Sequence, residues 1–377
     1  MKTAIRGALF FLTLSFIIPS YAQSNLVEGL QKIADEYRAV GLTVAVIKDN
    51  KLVFDKALGY KNLETKEALQ TTDLFRIASI SKSFTATAIM QLVEQKKISL
   101  DDDFSTFIGF PVRNPNFPDK VITLRMVLSH TSSINDKNGY FDLAVINPSK
   151  NEDWKNSYHS YAPGEDYEYC NLNFNMLGSV LEQLTKVRFD QYIKQQILDP
   201  LALDAGYCVD SLDARRFANL YNYKEETKSF IHEPAAYSPR SADIQKHKLG
   251  ETTPVFSPTG GMKISTLDLA TYMRMHMNYG QYAKGRLISK KSAKLMQTKI
   301  SEEEGYGLAL RETEKLVPGV HLVGHTGSAY GLYSAMFFNP KEKYGFIVIT
   351  NGCIATYEDD YVALTRKTIN YLYESLI

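Results

Sequence analysis

Strand-forming segments are confined to the two ends of this chain of 377 residues. Near the N-terminus, residues 43–48 are rich in β-branched side chains, Asp49-Asn50 predicts a turn, and residues 51–60 return as a second strand. Three further strands are predicted near the C-terminus, at residues 321–325, 332–338 and 344–350. The two ends of the chain therefore both supply strands for a sheet.

The middle of the chain has a different character. Residues 101–254 contain helical stretches and long polar loops rich in Tyr and Asn, with little strand signal. We interpret 101–254 as a mostly helical domain inserted between the two halves, 23–100 and 255–377, of a sheet-containing domain. Two helices are predicted within this insert, at residues 174–184 and 189–198. Three are predicted outside it, at residues 26–37, 267–277 and 359–376.

A further helix is predicted over residues 79–95, where Phe84, Ala88 and Leu92 recur at helical spacing and no Gly or Pro interrupts. Ser79 then lies in the first turn, and Lys82 lies on the same face one turn later. A serine hydroxyl becomes a strong nucleophile when a base removes its proton, and a lysine whose environment favours the neutral amine can be that base. An isolated S-x-x-K also arises by chance, so the motif needs support from elsewhere.

Neighbouring serines do not share this spacing. Ser81 is followed three residues later by Phe84, and Ser83 by Ala86. Ser79 is thus the candidate nucleophile of the segment.

Composition and charge exclude several classes of protein. A net charge of +1 gives no indication of a nucleic-acid partner, and 44% hydrophobic with 23% charged residues is typical of a globular protein. The three cysteines, Cys170, Cys208 and Cys353, lack the spacing of a zinc site. One pair could form a disulfide, but we favour small buried side chains for all three. No cofactor or metal is expected.

The first 22 residues have the pattern of a secretory signal peptide. Lys2 and Arg6 precede an apolar run over residues 8–18, which is short for a membrane span, and small residues around Ala22 form a cleavage site. We predict a mature chain that starts near Gln23 and is periplasmic or secreted, with no membrane span left after cleavage. An uncleaved anchor is the alternative.

Two downstream motifs strengthen the case for Ser79. Tyr169-Cys170-Asn171 follows about ninety residues later, and His325-Thr326-Gly327 comes near the C-terminus. With Ser79-Ile80-Ser81-Lys82, this order resembles that of the serine β-lactamase and penicillin-binding-protein superfamily, in its class C β-lactamase and DD-carboxypeptidase branch. The resemblance covers nearly the whole mature chain. It implies an α/β (α+β type) fold, in which an antiparallel sheet flanked by helices is built from both chain ends around the inserted helical domain.

The resemblance also implies roles for individual residues. Ser79 would form an acyl-enzyme, while Lys82 and Tyr169 would share the proton, with the base left open. Backbone N–H groups of Ser79 and of Ser328 would hold the oxyanion. Substrate would be bound by the remaining members of the site: Asn171, His325, Thr326 and Gly327.

Three functions remain open at this stage. The first is a hydrolase of amide or peptide bonds, such as a D-Ala-D-Ala peptide. The second is an esterase or β-lactamase with the same residues, and the third is a non-catalytic binding relative. His325 stands where many β-lactamases have lysine, and a histidine is only partly charged at neutral pH, which favours the first function. A small molecule or peptide is the expected partner, and the oligomeric state stays open.

Overall fold

The computed structural model describes residues 20–302 and 304–377, with side chains from Ser24 onward. The predicted signal peptide lies almost wholly outside the described residues. The α-helices are α1 Ser20–Glu36, α2 Ser81–Glu94, α3 Ser105–Ile108, α4 Leu124–Leu128, α5 Asn171–Thr185, α6 Phe189–Ile193, α7 Ser241–Lys246, α8 Thr266–Met277, α9 Lys290–Gln297 and α10 Ala363–Leu376. Within the described part of the chain, no helix is both long and apolar enough to cross a bilayer.

The strands are β1 Gly41–Lys48, β2 Lys51–Asn62, β3 Glu67–Ala68, β4 Phe75–Arg76, β5 Tyr221–Lys224, β6 Ser229–His232, β7 Lys263–Ile264, β8 Gln281–Tyr282, β9 Gly285–Arg286, β10 Arg311–Thr313, β11 Leu322–Ala329, β12 Leu332–Asn339, β13 Tyr344–Thr350, β14 Tyr357–Glu358 and β15 Tyr361–Val362. The longest strands, β1, β2, β11, β12 and β13, belong to one large sheet.

The large sheet confirms the expected architecture. Its seven strands run in the order β10-β11-β12-β13-β1-β2-β3, and all neighbouring pairs are antiparallel. The C-terminal strand β13 pairs with the N-terminal strand β1, so the sheet joins both ends of the chain. Asp49 and Asn50 both have positive φ in the β1–β2 turn, which is the geometry that a two-residue hairpin requires.

Helices cover both faces of this sheet. On one face, α1 and α10 pack through side chains such as Leu30 and Leu372. On the other face, α8 packs against β1, β12 and β13, and α2 continues the core towards α5. The methionines of α8, Met273, Met275 and Met277, are all buried. The fold is therefore an α/β sheet flanked by helices.

The segment 101–254 contains α3 to α7 and one hairpin, β5–β6, that the sequence pattern did not reveal. The proposed domain boundaries stay a prediction. The α2–α5 contact nevertheless joins this segment to the sheet-containing part. That contact brings Asn171, the first residue of α5, close to the beginning of α2.

Some element boundaries differ from those expected. His325 lies within β11, which continues to Ala329, and not at a strand end. The last helix begins at Ala363, because Asp359 and Asp360 have positive φ in the turn between β14 and β15. All three cysteines are free and buried, so no disulfide forms among them.

Candidate active site

Ser79 lies in a single 3₁₀ turn, Ala78–Ile80, that leads directly into α2. This turn rests on β11 and β12 of the large sheet. Ala78 has φ of +50°, a left-handed conformation that costs energy for a residue with a side chain. The strained turn presents Ser79, which is half-buried, to the cleft beside β11.

The two neighbouring serines have structural tasks. Ser81 Oγ accepts a hydrogen bond from the backbone N–H of Met262 at 3.0 Å. Ser83 Oγ donates to the carbonyl of Ile80 at 2.7 Å. Both are fully buried, which agrees with the choice of Ser79 as the candidate nucleophile.

Lys82 Nζ lies beneath Ser79 among three oxygen atoms. It is 3.1 Å from Ser79 Oγ, 2.9 Å from Asn171 Oδ1 and 3.0 Å from the carbonyl oxygen of Thr259. A neutral amine has two N–H groups and one lone pair. Because the amide and carbonyl oxygens can only accept, they take the two N–H groups and leave the lone pair for the Ser79 hydroxyl.

Burial favours that neutral form. It lowers the pKa of Lys82 from 10.5 to about 7, although the nearby Asp136 carboxylate acts in the opposite direction. The amine is thus close to half-deprotonated near neutral pH. This is the range in which a general base is most effective.

Asp136 is a residue of the site that the sequence motifs did not reveal. Its Oδ2 accepts from the backbone N–H and from the side-chain amide of Asn171, both at 2.9 Å. Its Oδ1 accepts from the N–H of Leu172 at 2.9 Å and from the thiol of Cys170. Asp136 therefore caps the first turn of α5 and orients the Asn171 amide so that Oδ1 faces Lys82. It lies outside all three motifs, so no spacing in the sequence pointed to it.

The ring of Tyr169 packs against the same lysine. The centroid of its ring is 4.6 Å from Lys82 Nζ, and its hydroxyl is buried without a hydrogen-bond partner among the described residues. Burial raises the pKa of Tyr169 well above its ordinary value, against a weaker influence of the nearby Ser79 hydroxyl. The phenol therefore keeps its proton at neutral pH.

His130 holds the Tyr169 segment in place. Its Nδ1 accepts from the N–H of Cys170 at 3.1 Å, and its ring lies 4.5 Å from that of Tyr169. Burial holds the pKa of His130 well below its ordinary value. This neutral ring packs the phenol against the site.

His325 is not a charged group at the edge of the cleft. Its Nδ1 donates to the carbonyl of Thr326, and its Nε2 accepts from the hydroxyl of Tyr306 at 3.1 Å. Burial, together with the charge of Lys82, lowers the pKa of His325 to about 3. The expectation of a partly charged histidine is therefore wrong. Both ring nitrogens are already engaged, so the imidazole shapes the site without adding charge.

Most of the proposed site residues line one cleft beside β11. Ser79, Tyr169, Asn171, His325, Thr326 and Ser328 line one cleft of about 850 Å³. Gly327 faces away from it: a Cβ atom there would lie 2.3 Å from the carbonyl oxygen of Ile77. Its missing side chain lets β11 approach the turn that carries Ser79.

The cleft also has residues that the motifs did not predict, among them Arg76, Tyr306, Arg311 and Glu304. Arg311 pairs with Glu304 at 3.1 Å. Among residues 20–302 and 304–377, no cluster of His, Cys, Asp and Glu could hold a metal ion.

Comparison with known proteins agrees with this geometry. The β-lactamase family model matches residues 24–364. The chain belongs to the β-lactamase family.

Two curated relatives illustrate the range of this family. Penicillin-binding protein 4 of Amycolatopsis lactamdurans is 27% identical over 352 residues, which are 87% of this chain and 85% of that protein. Protein flp of Staphylococcus aureus (strain N315) is 25% identical over 327 residues, 82% of this chain. The chain spans only 59% of the length of protein flp.

Solved structures share the fold. The octameric penicillin-binding protein homologue from Pyrococcus abyssi has a TM-score of 0.73 at 25% identity, over 93% of this chain and 77% of that one. The D-amino acid amidase from Ochrobactrum anthropi SV3, complexed with D-phenylalanine, has a TM-score of 0.70 at 18% identity, over 93% and 99% of the two chains. EstCE1, a hydrolase with promiscuous acyltransferase activity, has a TM-score of 0.71 at 20% identity, over 93% and 100%. The family's fold thus occurs in amide hydrolases as well as in penicillin-binding proteins.

Proposed function

We propose that the protein is an exported serine hydrolase that forms an acyl-enzyme on Ser79 and cleaves an amide or peptide bond. One observation supports this most strongly. Lys82 Nζ lies within 3.1 Å of Ser79 Oγ and of two oxygen atoms that can only accept, so in the neutral form its lone pair is directed to the Ser79 hydroxyl. A serine and a base in hydrogen-bond contact are the minimum that nucleophilic catalysis requires.

The proton would follow a short path. Lys82 Nζ takes the proton of Ser79 as Oγ attacks the substrate carbonyl. The new ammonium is stabilised by Asn171 Oδ1 and the Thr259 carbonyl, and by the face of the Tyr169 ring. Tyr169 holds a proton in its buried hydroxyl, and we assign it as the donor to the leaving group, with Lys82 restoring that proton.

The negative charge of the tetrahedral intermediate also needs a partner. We propose the backbone N–H groups of Ser79 and Ser328, which come from the strained turn and from the adjacent strand β11. Water would then attack the acyl-enzyme and release the acid.

The uncharged His325 favours a peptide or open-chain amide over a β-lactam as substrate. Around His325 the cleft is aromatic, because Tyr306 and Tyr169 pack against the neutral imidazole and Tyr167 packs against Tyr306. Penicillin-binding proteins and D-amino acid amidases are among the proteins that this chain resembles. We therefore propose that the substrate is a peptide of the kind that DD-peptidases cleave. Esters and β-lactams react through the same groups and are outcomes of the test below.

Intact-mass spectrometry with a penicillin, and separately with an activated ester, tests this proposal. We expect an adduct on Ser79 that is absent in Ser79→Ala and retained in Ser83→Ala, a matched serine outside the cleft. A stable penicillin adduct supports the peptidase function, whereas rapid penicillin turnover would make the protein a β-lactamase. Ester turnover without a penicillin reaction would make it an esterase. Full turnover by Ser79→Ala would refute the mechanism.

Export is proposed from the N-terminal pattern alone. N-terminal sequencing of the protein isolated from its native cell checks it. A chain that starts near Gln23 is expected, and an intact Met1 would contradict cleavage.

A further inference from the structure

Arg76 is a cation in the wall of the cleft without an acidic partner. Its side chain is 8% exposed, and within the described part of the chain no carboxylate lies within 4 Å of it. Its Nε donates to the carbonyl of Gly260 at 3.0 Å, and its guanidinium lies 4.7 Å from the centroid of the Tyr330 ring. The two terminal nitrogens donate to no described residue, yet Arg76 lines the cleft. They are therefore free donors for a ligand.

Three basic side chains, Arg76, Lys263 and Arg240, lie near one another at this point. Arg76 of β4 is the cross-strand partner of Lys263 of β7, which is also buried and donates to the Tyr207 carbonyl at 2.7 Å. Burial holds the pKa of Lys263 well below its ordinary value, and the positive charges of Arg76 and Arg240 act in the same direction. Arg240 has its own partner, Asp243, at 3.2 Å. Arg76 is thus the guanidinium of this group that lacks a counter-charge.

The surface next to Arg76 offers room for a substrate. A groove of about 540 Å³ adjoins the cleft and shares four of its lining residues: Arg76, Phe141, Ser257 and Tyr330. This groove is not lined by His325, Tyr306 or Arg311. It therefore extends the cleft on the side away from the aromatic cluster.

The proposed mechanism indicates which part of the substrate would lie in this groove. Tyr169, the proposed proton donor, contacts Tyr306 and His325, so the leaving group departs towards that cluster. The acyl part must then extend in the other direction, past Ala78 and Gly260 towards Arg76. Arg76 precedes Ser79 by three residues, so their Cα atoms are at most about 11 Å apart. A short acyl chain can span that distance.

We propose that Arg76 is a substrate-binding residue that recognises a carboxylate on the acyl side of the substrate. The direction of the substrate rests on the proposed acyl-enzyme function. A buried cation is unfavourable without a counter-charge, and a guanidinium offers paired N–H donors that match the two oxygens of a carboxylate. The preferred acyl donor thus carries a free carboxylate a few bonds from the scissile carbonyl.

A matched pair of substrates tests this. N-succinylglycine and N-succinamylglycine thioesters differ only in a terminal carboxylate or carboxamide. We expect kcat/KM of the wild type to favour the carboxylate by at least about tenfold, which one charge-assisted hydrogen bond can supply. In Arg76→Gln that ratio should fall to about one, and Arg76→Lys should retain part of it, because it keeps the charge without the paired donors. The control is Arg215→Gln, since Arg215 is a solvent-exposed arginine outside the cleft, and its ratio should equal that of the wild type.

A binding measurement separates this inference from the hydrolase proposal. Calorimetry of the same two compounds with Ser79→Ala measures the Arg76 contact without turnover. Preferential binding of the carboxylate supports the subsite, even where neither thioester is hydrolysed and the acyl-enzyme proposal fails. Equal binding of the two compounds, or a wild-type ratio near one, would overturn it and leave Arg76 as a support for Gly260 and Tyr330.

Discussion

Asp136→Asn is the most informative change in the site, because it removes a charge near Lys82 while keeping the shape of the side chain. The carboxylate accepts four contacts, two from Asn171 and one each from Leu172 and Cys170. An asparagine has one acceptor oxygen, and its NH₂ group would face donors. The replacement therefore acts on both the charge of Lys82 and the orientation of Asn171.

The electrostatic effect can be worked out from the contacts. The Asn171 amide bridges Asp136 and Lys82 through two contacts of 2.9 Å, so the charges are separated by at most about 8 Å. At an effective dielectric constant of about 20, the attraction between the two charges is about 2 kcal/mol, which corresponds to a change of about 1.5 units in the pKa of Lys82. Asp136 raises the pKa of Lys82, so its removal should move the acid limb of acylation below pH 7 by about that amount.

The orienting effect adds a loss of rate. A buried donor left without an acceptor costs about 1–3 kcal/mol, and the Asn171 amide can then rotate its NH₂ towards Lys82. If this cost is felt in the transition state, kcat/KM on the plateau falls by about tenfold to a hundredfold.

The assay is the pH dependence of Ser79 acylation by an activated ester, with the thermal midpoint measured in parallel. Asp153→Asn is the control, because Asp153 is an exposed carboxylate of the same segment with no side-chain hydrogen bond among the described residues. The Asp153→Asn control should leave both the acid limb and the plateau of the pH profile unchanged. An acid limb that stays in place or moves to higher pH in Asp136→Asn would refute this account of Lys82.

Three further predictions concern Lys82 and Gly327. In the wild type, kcat/KM should rise with pH and show an apparent pKa of about 7, because Lys82 must lose its proton before it can act as the base. A kcat/KM that does not change over about four pH units centred on pH 7 would contradict Lys82 as the base. The unfolded lysine keeps its proton up to about 10.5, so Lys82 should make the folded state more stable as pH rises from about 7 towards 10.5, which urea denaturation at several pH values can measure. Gly327→Ala should lower the free energy of unfolding by about 1–3 kcal/mol and reduce acylation, since its Cβ would meet the Ile77 carbonyl at 2.3 Å. Gly206→Ala, whose Cβ would lie 3.6 Å from Leu212, is the matched control, and equal effects of the two substitutions would argue against the close approach of β11.

Local patterns predicted most of the framework. The hairpin of β1 and β2 follows from alternating β-branched residues around Asp49-Asn50, and β13 and α8 lie close to where their apolar periodicity places them. The motifs also predicted Ser79, Lys82, Tyr169 and Asn171 as site residues, and the structure brings these four side chains together. The β5–β6 hairpin was missed, because its strands are four residues long and only partly buried.

The sequence by itself determined the order of most elements and pointed to the candidate reactive groups, since both depend on neighbours within a few positions along the chain. Tertiary structure decided their protonation and orientation. Lys82 has a pKa of about 7, and His325 is neutral, only because distant segments bury them. Asp136 and Arg76 acquire their importance in the same way, from residues 35 and 184 positions away in the chain, contacts that no local pattern encodes.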